Sequence, residues 1–136
     1  MWDRCGEWKI LQQPADEYAS GVLRDANGFP IFDSKFEVRL KQEMYLAHDD
    51  RQFRQATLAP HDELAQNAGL ANQLGLSTAD IDMLANGITP DQFIWHHHQD
   101  RGRIQLVEQA IHQATQHTGG REIWGGGKDF RLRTLQ

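Results

Sequence analysis

The sequence predicts an α+β domain in which a β-hairpin and a following helix lie near the C-terminal end, wrapped by several short helices. Three observations predict this class. The 136 residues suit one domain with its own core. Apolar residues recur at helical spacing through the middle of the chain. After Thr89-Pro90 the apolar period changes to two, which indicates strands.

The first part of the chain carries few structural signals. Residues 1–20 show little periodicity, and we treat them as a lead-in. The Asn27-Gly28 pair predicts a turn ahead of a short apolar run. Alternating apolar and polar residues over 36–40 then predict a short strand.

Helix signals follow in the middle of the chain. We expect one helix over residues 49–59 and a second from Pro60 to about residue 69, because proline suits the first turn of a helix. The spacing of Ser77 and Asp80 predicts a capping box at the start of a third helix, which Gly87 would end.

The C-terminal third has the order hairpin, then helix. Residues 93–97 and 103–107 are predicted strands, with residues 99–102 as the turn between them. Residues 108–116 have helical spacing, and the double glycine at 119–120 stops any helix.

Charge is unevenly distributed along this acidic chain, whose net charge is −5. Residues 96–136 carry six basic and four acidic side chains, whereas residues 1–95 carry eight basic and fifteen acidic side chains.

Cys5 is the single cysteine, so no internal disulfide can form and a reducing compartment is expected. No stretch approaches the roughly 20 apolar residues of a membrane span, and no signal-peptide pattern is present, so no membrane partner is expected.

Five of the seven histidines lie in the hairpin and the helix, at His96, His97, His98, His112 and His117. Imidazoles that converge on one point predict a divalent-metal site, and a solvated surface patch is the alternative. Adjacent strand residues point to opposite faces, so His96 and His97 converge only if the strand bends or ends there. His112 and His117 lie roughly 140° apart on an ideal helix, so the helix must end before His117.

Four short motifs carry a family resemblance. In chain order they are Trp95-His96-His97, Arg103-Ile104-Gln105-Leu106-Val107, Ile111-His112 and His117-Thr118-Gly119-Gly120. This series closely resembles the WHH branch of the HNH/endonuclease VII nucleases, which occur as C-terminal toxin domains of bacterial polymorphic and contact-dependent toxins. The resemblance covers residues 21–127 as a single nuclease domain and leaves residues 128–136 as a tail. It implies a ββα-metal core, also called a His-Me finger, at about residues 93–118.

The resemblance implies a metal-dependent endonuclease that hydrolyses the phosphodiester bonds of DNA. In that family's pattern His97 is the general base, and Gln105 takes the place of the asparagine whose amide orients it. His96, His112 and His117 would hold one divalent ion. An all-imidazole set favours zinc, with nickel, magnesium or manganese as alternatives.

Other side chains near the motif keep more than one interpretation. Arg101, Arg103 and Arg121 could bind phosphates or form a solvated face. His98 could be an exposed spacer, a partner of a ligand, or the occupant of a role given to its neighbours. Gln105 could also be an ordinary hydrogen-bonding strand residue.

The resemblance also implies partners and a place of action. A cognate immunity protein would hold the toxin inactive, and a larger secreted or surface toxin would deliver the domain into the cytoplasm of a target bacterium. No small-molecule organic cofactor is expected. The alternatives are a non-catalytic binding module with a structural zinc held by histidines, and a ribonuclease on the same core.

Overall fold

The computed structural model describes residues 17–115 and Trp124. Within that part of the chain, two small sheets combine with four α-helices and one 3-10 turn, the mixture of α and β structure that the sequence predicts. The elements are β1 (Leu23–Arg24), β2 (Pro30–Ile31), β3 (Phe36–Arg39), the 3-10 turn Gln42–Met44, α1 (Asp49–Leu64), α2 (Leu70–Leu74), α3 (Thr78–Ala85), β4 (Phe93–His97), β5 (Arg103–Glu108) and α4 (Gln109–Gln113).

The prediction of two helices meeting at Pro60 is wrong, because α1 runs unbroken through that residue. Its buried residues are Gln52, Ala56, Thr57 and Pro60, whose spacing places them on one stripe of the helix. An internal proline costs about 3 kcal/mol through its missing N–H and its ring clash. Burial of the whole stripe in the core offsets this cost, so packing overrides the local preference.

The capping box at the start of α3 is confirmed. Asp80 N–H donates to the Ser77 hydroxyl at 3.1 Å, and Ser77 N–H donates to the Asp80 carboxylate at 3.0 Å. Gln92 adds a third contact by donating its amide to the same Asp80 carboxylate at 3.0 Å. This last bond ties the start of α3 to the segment that leads into β4.

The predicted hairpin is present, and a third strand extends it. β4 and β5 pair antiparallel, and β3 pairs with the other edge of β5, giving the order β3-β5-β4. Glu37, Gln105 and His96 lie directly opposite one another across the three strands. Directly opposed residues share a face, so these three side chains project from the same side of the sheet.

The opposite side of the sheet is the core face and packs against α1. Trp95, Ile104 and Leu106 are buried there. The Trp95 indole N–H donates to the Thr57 hydroxyl at 2.9 Å, which ties the strand to the helix.

None of the described helices is long and apolar enough to cross a membrane.

Gly102 ends the hairpin turn and offers a test of this packing. Its φ is +87°, and a Cβ placed there would lie 2.7 Å from the Tyr45 hydroxyl. Gly28 has the same φ of +87° with nothing within 4 Å of a Cβ. Gly28→Ala should therefore cost only the left-handed backbone penalty of about 1–2 kcal/mol. Gly102→Ala should cost a further 1–3 kcal/mol, roughly, because the ring must move.

The comparison is made by urea unfolding of the two variants beside the wild type. The difference between the two glycines isolates the contact with Tyr45, since the backbone term is shared. Equal losses of unfolding free energy would contradict the close approach of the turn to that ring.

Candidate functional site

Two imidazoles face each other on the side of the sheet away from α1. His96 projects from β4 and is 3% exposed, and His112 projects from α4, which follows β5 directly. Their ring centroids are 5.5 Å apart with an interplanar angle of 62°. Phe32 packs against both, with centroids 4.8 Å from His96 and 5.3 Å from His112. The hairpin and the helix thus bring together two of the three predicted ligands.

The spacing of these two rings fits a shared metal ion. With zinc–nitrogen bonds of about 2.1 Å and tetrahedral coordination, two imidazoles on one ion have centroids roughly 5 Å apart. The observed 5.5 Å is close to that separation. Two imidazole nitrogens beside an apolar ring suit zinc or nickel better than magnesium, which prefers oxygen.

The third predicted ligand, His117, lies outside the described residues, as do Arg121, the tail 128–136 and most of the lead-in. Within residues 17–115 and Trp124, no group of three His, Cys, Asp or Glu side chains is placed to hold a metal. The described part of the chain therefore brings together two of the three residues predicted as ligands, His96 and His112.

The structure does not bring His97 to these imidazoles. β4 pairs regularly with β5 up to the His97–Ile104 partners, so the bend that convergence requires is absent. His97 consequently points to the core face, where it is 5% exposed. Its ring packs against Trp124 with centroids 4.9 Å apart and against Phe53 with centroids 5.5 Å apart.

The hydrogen bond of His97 fixes its orientation in the core. Gln52 donates its side-chain amide to the Met44 and Tyr45 carbonyls at 2.7 and 3.0 Å, so its Oε1 points the other way. That oxygen lies 2.7 Å from His97 Nε2, which is therefore the protonated nitrogen. The ring of His97 therefore bonds to α1 and lies on the opposite side of the sheet from His96, so the general-base role expected for His97 stays a prediction.

Sequence analysis missed the carboxylate of Glu37. It lies on the site face, which is the side of the sheet that carries His96. Glu37 accepts from Arg103 Nε at 3.0 Å and from Arg103 Nη2 at 2.8 Å. It also accepts from the Gln105 side-chain amide at 2.7 Å. Gln105 was expected to orient a base, and in the structure its amide binds Glu37.

These contacts perturb both charged groups. The hydrogen bond from Arg103 lowers the pKa of Glu37, with the Gln105 amide and the arginine charge acting in the same direction against desolvation. The same hydrogen bond raises the pKa of Arg103. The pair is therefore fully ionised near neutral pH.

His98 stands at the open end of this face, beside Arg103. Its Nδ1 accepts the Asp100 backbone N–H at 2.8 Å, and its Nε2 lies 3.4 Å from Arg103 Nη1. Desolvation, followed by the charge of Arg103, lowers the pKa of His98. A neutral imidazole that accepts at Nδ1 carries its proton on Nε2. His98 and Arg103 thus each direct an N–H donor toward the same region.

A pocket of about 320 Å³ opens above these donors. Its lining includes Asp25, Phe32, Ser34, Glu37, His98 and Arg103. Phe32 also packs on His96 and His112, so the pocket adjoins the paired imidazoles. Arg101 does not line this pocket; its exposed side chain lies in the hairpin turn.

The sequence held no local signal for Glu37. It reaches Arg103 and Gln105 only because β3 pairs with β5, across 66 and 68 residues of chain. The alternation of residues 36–40 predicted the strand but not its partner. The one available feature was that Glu37 is the single acidic residue in the three strands that the sequence predicts.

Comparisons with known proteins identify one family. A family model for the DNase/tRNase domain of colicin-like bacteriocin matches residues 22–119, more than two thirds of the chain. The matched region contains both sheets, all four described helices and the His96–His112 pair. Neither the curated proteins nor the solved structures yield a match.

Proposed function

We propose that this chain, which belongs to the family of the DNase/tRNase domains of colicin-like bacteriocins, is a metal-dependent endonuclease that hydrolyses DNA. Family membership makes it a nuclease toxin domain. The observation that supports metal dependence is the His96–His112 pair, whose centroid separation of 5.5 Å suits two ligands of one ion. In this proposal the HNH-type ββα-metal core would consist of β4, β5 and α4.

The proposed site divides the work of diester hydrolysis among a few side chains. His96, His112 and, as the proposed third ligand, His117 would hold one zinc ion. The bound metal would polarise the phosphate and lower the pKa of a water molecule, which are the two main demands of this reaction.

The chain's own donors act on the phosphate oxygens. Arg103 and the Nε2–H of His98 would donate hydrogen bonds where negative charge develops, and such preorganised donors are worth several kcal/mol in a transition state. Arg101, exposed at the hairpin turn, and Arg121 would contact neighbouring phosphates and position the strand. No step requires His97, which binds Gln52 in the core.

Delivery and inhibition complete the proposal. The domain would reach the cytoplasm of a target bacterium as part of a larger secreted or surface toxin, and a cognate immunity protein would hold it inactive in the producing cell. The bacteriocin description of its family supports both statements. The excess of acidic residues before residue 96 offers such an inhibitor a charged surface.

RNA is the second candidate substrate, because the same family description includes tRNases. The chemistry is directed at a phosphodiester, which both polymers contain. A non-catalytic module with a structural zinc is the remaining alternative, and it would bind metal without cleaving either polymer.

One assay separates these outcomes. Purified protein is incubated with plasmid DNA and, separately, with total RNA, before and after exhaustive chelation and after adding back zinc, nickel, magnesium or manganese. We expect DNA cleavage that chelation stops and a transition metal restores. Cleavage of RNA alone would favour the ribonuclease, and full DNA cleavage after chelation would contradict a metal-dependent site.

A further inference from the structure

Glu37 places a negative charge beside the site that must bind a polyanion. Its carboxylate lies in the same cross-strand row as Gln105 and His96, on the face that carries the paired imidazoles. Taken alone, that charge repels a phosphate and weakens binding. A carboxylate at this position is therefore unfavourable for phosphate binding unless it contributes to the site in another way.

The ion pair between Glu37 and Arg103 contributes little to the stability of the fold. The side chains of Glu37 and Arg103 are 38% and 34% exposed. Ion pairs with this much solvent access contribute about 0–1 kcal/mol. The Glu37 contacts therefore add little to the free energy of folding, although they fix the orientation of the Arg103 side chain.

The paired hydrogen bonds between Glu37 and Arg103, here called the clamp, have a specific geometry. Both oxygens of Glu37 are used by Arg103, through Nε and Nη2, in a bidentate arrangement. This leaves Nη1 as the guanidinium nitrogen that the carboxylate does not bind. Nη1 lies 3.4 Å from His98 Nε2, which also carries a proton because Nδ1 accepts from Asp100.

Two donors at that separation do not satisfy each other, and one acceptor placed between them satisfies both. We propose that Glu37 is a positioning residue that holds Arg103 so that its Nη1 and the Nε2–H of His98 bind one non-bridging oxygen of the substrate phosphate. This inference rests on the proposed nuclease function and assigns a role to a residue outside the recognised motif.

Gln105 is held by the same carboxylate. Its amide donates to Glu37 Oε2 at 2.7 Å, and its side chain lies between Glu37 and His96 in the cross-strand row. Fixing this amide keeps a neutral side chain between the clamp and the imidazole pair. The acidic group is thereby occupied by donors and separated from the metal ligands.

The effect of Glu37→Ala on the kinetics distinguishes positioning from simple charge. Loss of a negative charge alone would strengthen DNA binding and lower KM. Loss of the clamp frees the guanidinium, and misplacement of a catalytic group by about 1 Å can cost up to 100-fold in rate. We expect kcat to fall about 10- to 100-fold while KM stays within about twofold or decreases.

The control is Glu43→Ala, which removes the same charge from an exposed residue of the 3-10 turn. Its kcat should match that of the wild type. In an Arg103→Ala background, Glu37→Ala should lower kcat no further, because the residue that it positions is already gone. Glu37→Gln, which keeps one acceptor and the side-chain shape, should lie between the wild type and Glu37→Ala.

Each variant is first checked by urea unfolding and by its zinc content, which should remain one ion per chain. A folded, zinc-loaded Glu37→Ala protein with wild-type kcat would overturn the inference, as would an equal loss in Glu43→Ala. A wild type that binds zinc but cleaves neither DNA nor RNA would instead overturn the proposed function.

Discussion

His112→Ala is expected to lower kcat for DNA cleavage by at least about 100-fold, with loss of bound zinc. The ring of His112 is half-buried against Phe32 and faces His96, so its removal takes away one of the paired imidazoles. Mutation of residues that only support metal ligands commonly costs 10- to 100-fold in affinity or activity, and the loss of a ligand should cost more.

His61→Ala is the matched control for this change. It removes another histidine, on α1, whose side chain is 39% exposed and pairs only with its neighbour Asp62 among the described contacts. Turnover and zinc content should match the wild type. Unchanged turnover and unchanged zinc content in folded His112→Ala would remove His112 from the site.

His97→Ala is expected to destabilise the fold by about 2–4 kcal/mol and to spare catalysis in the protein that remains folded. The substitution removes the His97 N–H that donates to Gln52 Oε1 and opens a cavity beside Trp124. Urea unfolding measures the loss of stability. Cleavage is then assayed at a temperature where the variant is fully folded.

The comparison with His98→Ala makes the result decisive. His98 lies at the open end of the site face, so its removal should cost little stability and lower kcat through loss of the Nε2–H donor. The family resemblance leads to the opposite expectation for His97, which is abolished cleavage with an intact fold. A stable but inactive His97→Ala protein would contradict this expectation and support His97 as the general base.

Local patterns predicted the local structure of this domain. The hairpin, its turn and the capping box at Ser77 follow from side-chain period and from residues next to one another in the chain. The separation of His96 from His97 also follows from the strand period of two. The condition that would have overcome this separation, a bend in β4, is not met.

Long-range packing decided what the sequence left open. Pro60 remains inside α1 because its stripe is buried in the core, which no local rule predicts. β3 joins β5 through a pairing between segments more than 60 residues apart, and only that pairing brings Glu37 to Arg103. The paired imidazoles could thus be predicted from the sequence, whereas the clamp beside them could not.

The location of the bound metal is the sharpest test of whether His96 and His112 share one ion. Anomalous scattering at the zinc edge, from crystals of the wild-type protein soaked with zinc, reports where an ion binds. We expect a single site per chain, with ring nitrogens of His96 and His112 both about 2.1 Å from the ion. Zinc bound elsewhere, or no zinc between these two rings, would contradict a metal site at His96 and His112.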